Sequence, residues 1–233
     1  MNLAQTKHIF FDLDRTLWDF EANSHTVLNQ LMDEYAIEKK CQTSRRSFIK
    51  TYWLVNDALW KQYREGQITK EQLRSSRFYH TMLYFGHDDP AFGLQLEHEY
   101  ISRAPSQKQL IADAIEVLEY LKEKYTLHII TNGFKEIQHI KLNNTGLSVY
   151  FDEIIISEEI GFNKPHRQIF QQALEKAGTT AGESIMVGDD IDADIIGAIN
   201  AGIAAVYFNP LKKPHNESPG YEITSLMQLK DFL

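Results

Sequence analysis

Two aspartates separated by one leucine, Asp12 and Asp14, follow a short apolar run of Ile9, Phe10 and Phe11. Carboxylates this close repel each other unless a cation or a shared proton offsets the charge. A hard metal such as Mg2+ takes carboxylate oxygens as ligands. That would leave one aspartate to act as nucleophile and the other to move a proton. Three further polar clusters offer complementary chemistry. Thr131-Asn132-Gly133 presents a hydroxyl, an amide and a permissive backbone suited to phosphate oxygens. Taken alone, it reads first as a strand-to-helix turn with an N-cap. Lys164-Pro165 brings a lysine able to neutralise a carboxylate and a phosphoryl group together, although an isolated lysine is ordinarily a surface residue. Asp189, Asp190, Asp192 and Asp194 put four acids into six positions directly after Gly188. Capping of a helix N-terminus and a metal site both account for them.

These clusters need a frame that delivers them to one place. Residues 7–11 have the pattern of a buried strand. From Glu21 to Arg103 the pattern is helical and rich in aromatics. Asn23 or Ser24 is the expected N-cap of a helix running towards Tyr35, and Ser44 to Arg64 carries Phe48, Tyr52, Leu59, Trp60 and Tyr63 near helical spacing. Thr69-Lys-Glu-Gln72 has the form of a capping box, and Gly86-His-Asp-Asp-Pro90 is a break. Beyond Pro105, helices at 109–124, 134–144, 167–177 and 192–201 alternate with strands at 127–130, 153–156, 184–187 and 203–208. A short strand at 221–223 and a closing helix at 225–232 follow. Such alternation predicts a parallel sheet with right-handed crossovers. The expected fold class is therefore α/β, a Rossmann-like parallel sheet with an all-α insertion after its first strand. The expected domains are 1–18 with 104–233 for the α/β core and 19–103 for the helical insertion. Each polar cluster falls after a predicted strand, and the carboxyl ends of strands are where open α/β sheets bind ligands.

Composition limits the classes of partner. The 233 residues suffice for a substantial core, and 43% of them are hydrophobic, which argues against disorder. A formal net charge of −8 gives no electrostatic reason to expect a nucleic-acid polymer or an acidic membrane as partner. Cys41 is the only cysteine, so no internal disulfide forms, which suits a reducing cytoplasm. No uninterrupted apolar stretch approaches membrane-spanning length, and the N-terminal residues lack the pattern of a secretory signal.

The four clusters, in this order and each after a strand, resemble the motifs of the haloacid dehalogenase-like hydrolase superfamily over essentially the whole chain: Asp12-Leu-Asp14-Arg-Thr16, Thr131, Lys164-Pro165, and Gly188-Asp189 with Asp194. The helical insertion resembles that family's cap of the first type. The resemblance implies that Asp12 attacks phosphorus to form an aspartyl phosphate, while Asp14 protonates the leaving oxygen and then activates water. It implies Mg2+ as cofactor, held by the Asp12 carboxylate, the Asp14 main-chain carbonyl and the Asp189 carboxylate. Thr131 would bind the phosphoryl group with the Asn132 or Gly133 backbone, and Lys164 would balance charge on nucleophile and phosphate. Asp194 would orient Lys164 or a metal-bound water, with Asp190 as a substitute ligand.

Asp14 points to phosphoryl transfer, because the dehalogenases of this superfamily usually lack an acid two residues after the nucleophile. The stretch from Asp14 to Ser24, with Trp18 and Phe20, looks most like the branch that hydrolyses pyrimidine nucleoside monophosphates, including noncanonical ones. Trp18 is then a candidate platform for the base, or else it packs at the hinge between core and cap. Alternative substrates are sugar phosphates and phosphoglycolate. A β-phosphoglucomutase-like mutase and a non-catalytic metal- or ligand-binding protein are the remaining readings. In the favoured one the partner is a small phosphorylated molecule.

Overall fold

The computed structural model describes residues 3–233. Their contacts divide the chain into two compact units: residues up to Phe20 with Lys108–Leu233, and Glu21–Gln107.

The first unit is built on a six-stranded, all-parallel sheet. Its strands are β1 (His8–Phe11), β2 (Thr126–Thr131), β3 (Glu153–Ile156), β4 (Ser184–Gly188), β5 (Ala204–Phe208) and β6 (Tyr221–Ile223), in the spatial order β3-β2-β1-β4-β5-β6. Alternate residues of each strand enter opposite faces. Ile9, Phe11, Leu127, Ile129, Ile185, Val187, Val206 and Phe208 share one apolar cluster with Val117, Leu118 and Leu121. Phe10, Ile130, Met186, Ala205 and Tyr207 share the other with Ile169, Phe170 and Ala173. Burial on both faces explains why these strands read as continuous apolar runs. From β1 the chain builds outward to β2 and β3, then returns to β4 and builds the other way. The reversal lies beside β1, the position at which open parallel sheets form a ligand-binding crevice.

The second unit is all-helical. It holds nearly all of α1 (Phe20–Glu34), together with α2 (Ile37–Lys40), α3 (Arg45–Arg64), α4 (Lys70–Tyr84) and α5 (Pro90–Arg103). Ser44 caps α3, Asp89 caps α5, and Thr69 and Gln72 form the expected capping box at the start of α4. Val27, Leu31, Phe48, Tyr52, Phe78 and Leu96 lie in its buried cluster. Asn23 and Ser24 do not cap α1. They are buried inside it, because the helix begins earlier, at Phe20.

Helices of the first unit are α6 (Ala114–Lys122), α7 (Lys135–Thr145), α8 (Ser157–Ile160), α9 (Arg167–Lys176) and α10 (Gly197–Asn200). The helix expected from 109 starts only at Ala114. Before it, Leu110 is bridged to Trp18, and the Gln109 carbonyl accepts from the Asp19 amide at 3.1 Å. The helix expected at 192–201 is divided. A π-helical turn, Ile191–Ile196, precedes the short α10. The closing helix is a 3-10 segment, Leu226–Asp231.

Candidate active site

Three adjacent central strands end in polar residues. Asp12 follows β1, and its backbone N–H donates to the Val187 carbonyl on β4 at 2.9 Å. Thr131 closes β2, and Asp189 follows Gly188 at the end of β4. Lys164 comes from the loop between α8 and α9. Its backbone N–H donates to Asn132 Oδ1 at 2.8 Å, while Asn132 Nδ2 donates to the Lys164 carbonyl at 3.0 Å. The Asn132 side chain therefore ties the lysine loop to the end of β2.

The Lys164 side chain is 2% exposed. Its Nζ donates to Asp12 Oδ1 at 2.6 Å, Asp194 Oδ1 at 2.6 Å and the Ile130 carbonyl at 2.8 Å. An ammonium has three N–H donors, and all three are committed here. Burial works against the lysine's charge, but attraction to Asp12 and Asp194 outweighs it and holds the ammonium above its ordinary range.

Asp194 reaches Lys164 because of the π-helical turn. Its N–H and that of Ile195 both point at the Asp190 carbonyl, at 2.9 and 3.3 Å, and the widened turn carries Asp194 over Gly188. A Cβ at position 188 would lie 2.2 Å from an Asp194 carboxylate oxygen, so only glycine fits there. Asp190, expected as a substitute ligand, serves locally as a helix cap. Its Oδ1 accepts from the Asp192 and Ala193 N–H groups at 3.1 and 2.9 Å, so it caps the turn.

Negative charge exceeds positive charge at this point. Carboxylate oxygens of Asp12, Asp189 and Asp194 lie within 4.8 Å of one another; Lys164 pairs with Asp12 and Asp194, and Arg15 attracts Asp189. Burial pushes the Asp12 carboxyl up to about 7, with Asp194 and Asp14 adding to the shift and Lys164 opposing it. Burial likewise raises Asp189 well above its ordinary value, reinforced by Asp12 and Asp194 and opposed by Arg15. Thr16 Oγ1 reaches an Asp189 oxygen at 3.4 Å. Three convergent hard oxygen donors with uncompensated charge fit a divalent cation such as Mg2+.

Thr131 is 1% exposed, and its Oγ1 accepts from the Gly133 N–H at 3.1 Å. The hydroxyl keeps its own O–H to donate. Asp14 faces other partners from those of Asp12. Gln138 Nε2 donates to its Oδ2 at 2.8 Å, and Lys141 Nζ to its Oδ1 at 2.5 Å. Neither residue stands out in the sequence. Their one local signal is spacing by three on α7, which surface pairs share.

The expectation that Trp18 stacks on a base is corrected. Its side chain is 1% exposed within the apolar cluster under β1, and the Lys141 ammonium lies 4.2 Å from its ring centroid. Arg15, with φ of 68°, turns its guanidinium over Phe20 at 4.7 Å.

The family profile for haloacid dehalogenase-like hydrolases matches residues 6–202. The chain is 34% identical to the pyrimidine 5'-nucleotidase YjjG of Escherichia coli (strain K12), over 97% of this chain and 96% of the relative. It is 33% identical to the pyrimidine 5'-nucleotidase PynA of Streptococcus pneumoniae, over 97% and 94%. The crystal structure of the putative hydrolase YfnB from Bacillus subtilis, bound to magnesium, superposes with a TM-score of 0.87 at 29% identity, covering 97% of each chain.

Proposed function

The chain belongs to the haloacid dehalogenase-like hydrolase family, and on that premise we propose that it is a Mg2+-dependent phosphomonoesterase that works through an aspartyl phosphate on Asp12. One observation carries this reading. Two carboxylates two residues apart occupy two environments, Asp12 on the buried Lys164 and Asp14 on Gln138 and Lys141. Environments that differ in this way give a pair of acids different roles.

Asp12 attacks phosphorus. The ester P–O bond breaks, its electron pair leaves with the alkoxide oxygen, and Asp14 protonates that oxygen. Water then attacks the phosphorus of the aspartyl phosphate and Asp14 takes its proton, so that inorganic phosphate and the free Asp12 carboxylate are regained. Lys164 offsets charge on Asp12 and on the incoming phosphoryl group. The Thr131 hydroxyl donates to a phosphoryl oxygen, assisted by the backbone at Asn132 or Gly133. The Asp12 and Asp189 carboxylates and the Asp14 main-chain carbonyl would hold Mg2+, which when bound supplies charge neutralisation between nucleophile and phosphate. Asp194 orients Lys164, as its 2.6 Å contact supports.

The substrate class we infer is the pyrimidine nucleoside monophosphates. Full-length similarity to two pyrimidine 5'-nucleotidases supports it. The helical insertion is read as the family's cap. Among the described residues no helix is long and apolar enough to cross a membrane. A cytoplasmic location is part of the same proposal, supported by the lone, buried Cys41.

The test is phosphate release from UMP, dUMP, dTMP, IMP, sugar phosphates and phosphoglycolate, with Mg2+ and with EDTA. Metal-dependent turnover that prefers the pyrimidine monophosphates is expected, and loss of about 10⁴-fold or more in Asp12→Asn with the fold retained. Preference for sugar phosphates would keep the chemistry and replace the substrate. No metal-dependent release from any ester would reject the phosphatase reading.

A further inference from the structure

Lysine and glutamine are costly to bury unless their polar atoms are paired. Yet α7 buries Gln138 to 1% exposure and Lys141 to 5%, and turns both onto one carboxylate. The two contacts fall on different oxygens of Asp14, so together they fix the plane of the carboxyl as well as its position. One turn of helix separates the two side chains, so their spacing is rigid. The surroundings are arranged around this clamp. The Lys141 ammonium lies 4.2 Å from the Trp18 ring centroid and 5.9 Å from that of Phe20, contacts that favour a cation. Gln138 crosses directly over Gly133, where a Cβ would come within 1.4 Å of its Nε2. The Gln138 Oε1 is buried with no hydrogen-bond partner.

We propose that Gln138 and Lys141 are positioning residues for Asp14, holding its carboxyl where it exchanges a proton with the leaving oxygen, and that Trp18 supports Lys141 from beneath. This rests on the phosphomonoesterase reading and extends it. An aspartate free of the clamp would spread over several side-chain rotamers, and a proton donor must lie within hydrogen-bond reach of the oxygen that it serves. Neither side chain hydrogen-bonds to Asp12 or Lys164, so the nucleophile keeps its lysine when the clamp is removed.

The leaving group separates this role from a structural one. An alkoxide such as the 5'-oxygen of UMP needs a proton as it departs, whereas p-nitrophenolate departs without one. In Lys141→Met and in Gln138→Leu, kcat/KM for UMP should fall about 100-fold while that for p-nitrophenyl phosphate falls less than about threefold. The retained aryl activity reports that each variant is folded, and Lys141→Arg should recover most of the UMP activity. In the Asp14→Asn background, adding Lys141→Met should cause no further loss on UMP, because the clamp then has no proton donor to hold. Equal losses on both substrates, or additive losses in the double variant, would overturn the proposal. Wild-type protein inert towards both esters would instead reject the phosphomonoesterase reading, and this one with it.

Discussion

Each unit of the protein buries a cluster of charge, and the two clusters are balanced differently. In the helical unit Arg77 and Glu97, 5% and 1% exposed, form a fork-to-fork pair, and Arg77 also reaches Asn56 Oδ1 at 3.4 Å. One buried cation meets one buried anion, Arg74 adds further attraction to Glu97, and the Tyr100 ring lies 5.2 Å from the Arg77 guanidinium. In the α/β unit three carboxylates, those of Asp12, Asp189 and Asp194, converge, with the Lys164 ammonium on two of them and the Arg15 guanidinium attracting the third. The first cluster is electrostatically complete and holds helices together. The second is short of positive charge at the edge of a sheet, and that deficit is what a cation and a phosphorylated ligand would use. Buried charge alone therefore marks neither structure nor function; the imbalance is the informative quantity.

Removing one anion from each cluster should give changes of opposite sign. Glu97→Gln strands the buried Arg77 guanidinium and should cost about 3–5 kcal/mol of stability, read as a lowered urea midpoint. A loss below about 1 kcal/mol would show that Arg77 is sustained by its other neighbours.

A buried neutral group sharpens the contrast. His128 is 0% exposed, stacks on Phe10 and His8, and shares a 3.0 Å hydrogen bond with His8 Nδ1. Burial, helped by His8 and opposed by Asp152, lowers its pKa from 6.5 to about 4. Above pH 6.5 both folded and unfolded chains carry it neutral, and stability is full. As pH falls from 6.5 towards 4 the unfolded chain takes up a proton that the folded chain refuses, and stability drops by about 2–3 kcal/mol. His8, also lowered by burial and flanked by Glu183, Asp152 and Lys7, contributes in the same direction. Equilibrium unfolding at pH 7.5 and 4.5 measures the slope. His128→Phe should flatten it, and an unchanged slope would assign the acid sensitivity elsewhere.

The smallest effect is the reversal in sign. Asp189→Asn relieves repulsion among the three carboxylates and should raise the stability of the metal-free protein by about 1 kcal/mol, a Tm gain of about 2–4 °C. Mg2+ should raise the Tm of the wild-type protein, and the same variant should lose that rise. A lowered metal-free Tm would mean that the carboxylate excess is neutralised by groups other than a bound cation.

The strands and the chain order of the reactive residues were legible because they are local properties. Apolar runs such as Ile9–Phe11 and Ile185–Val187 determine strands, and Asp12, Thr131 and Asp189 lie beside the ends of those runs. The capping box at Thr69 depends on residues within one turn and was equally readable. The partners of each charge were not. Gln138 and Lys141 meet Asp14 across 124 and 127 residues of chain, and nothing in α7 marks which of its polar side chains turns inward. Asp194 reaches Lys164 only because a π-helical turn replaces an ordinary helical start, and Trp18 serves the interior because the bridge to Leu110 closes over it. Sequence by itself determined which groups could react and in what order they follow the strands along the chain. Tertiary structure decided which groups are paired and which are left short of charge, because that depends on burial and on contacts between segments far apart in the chain.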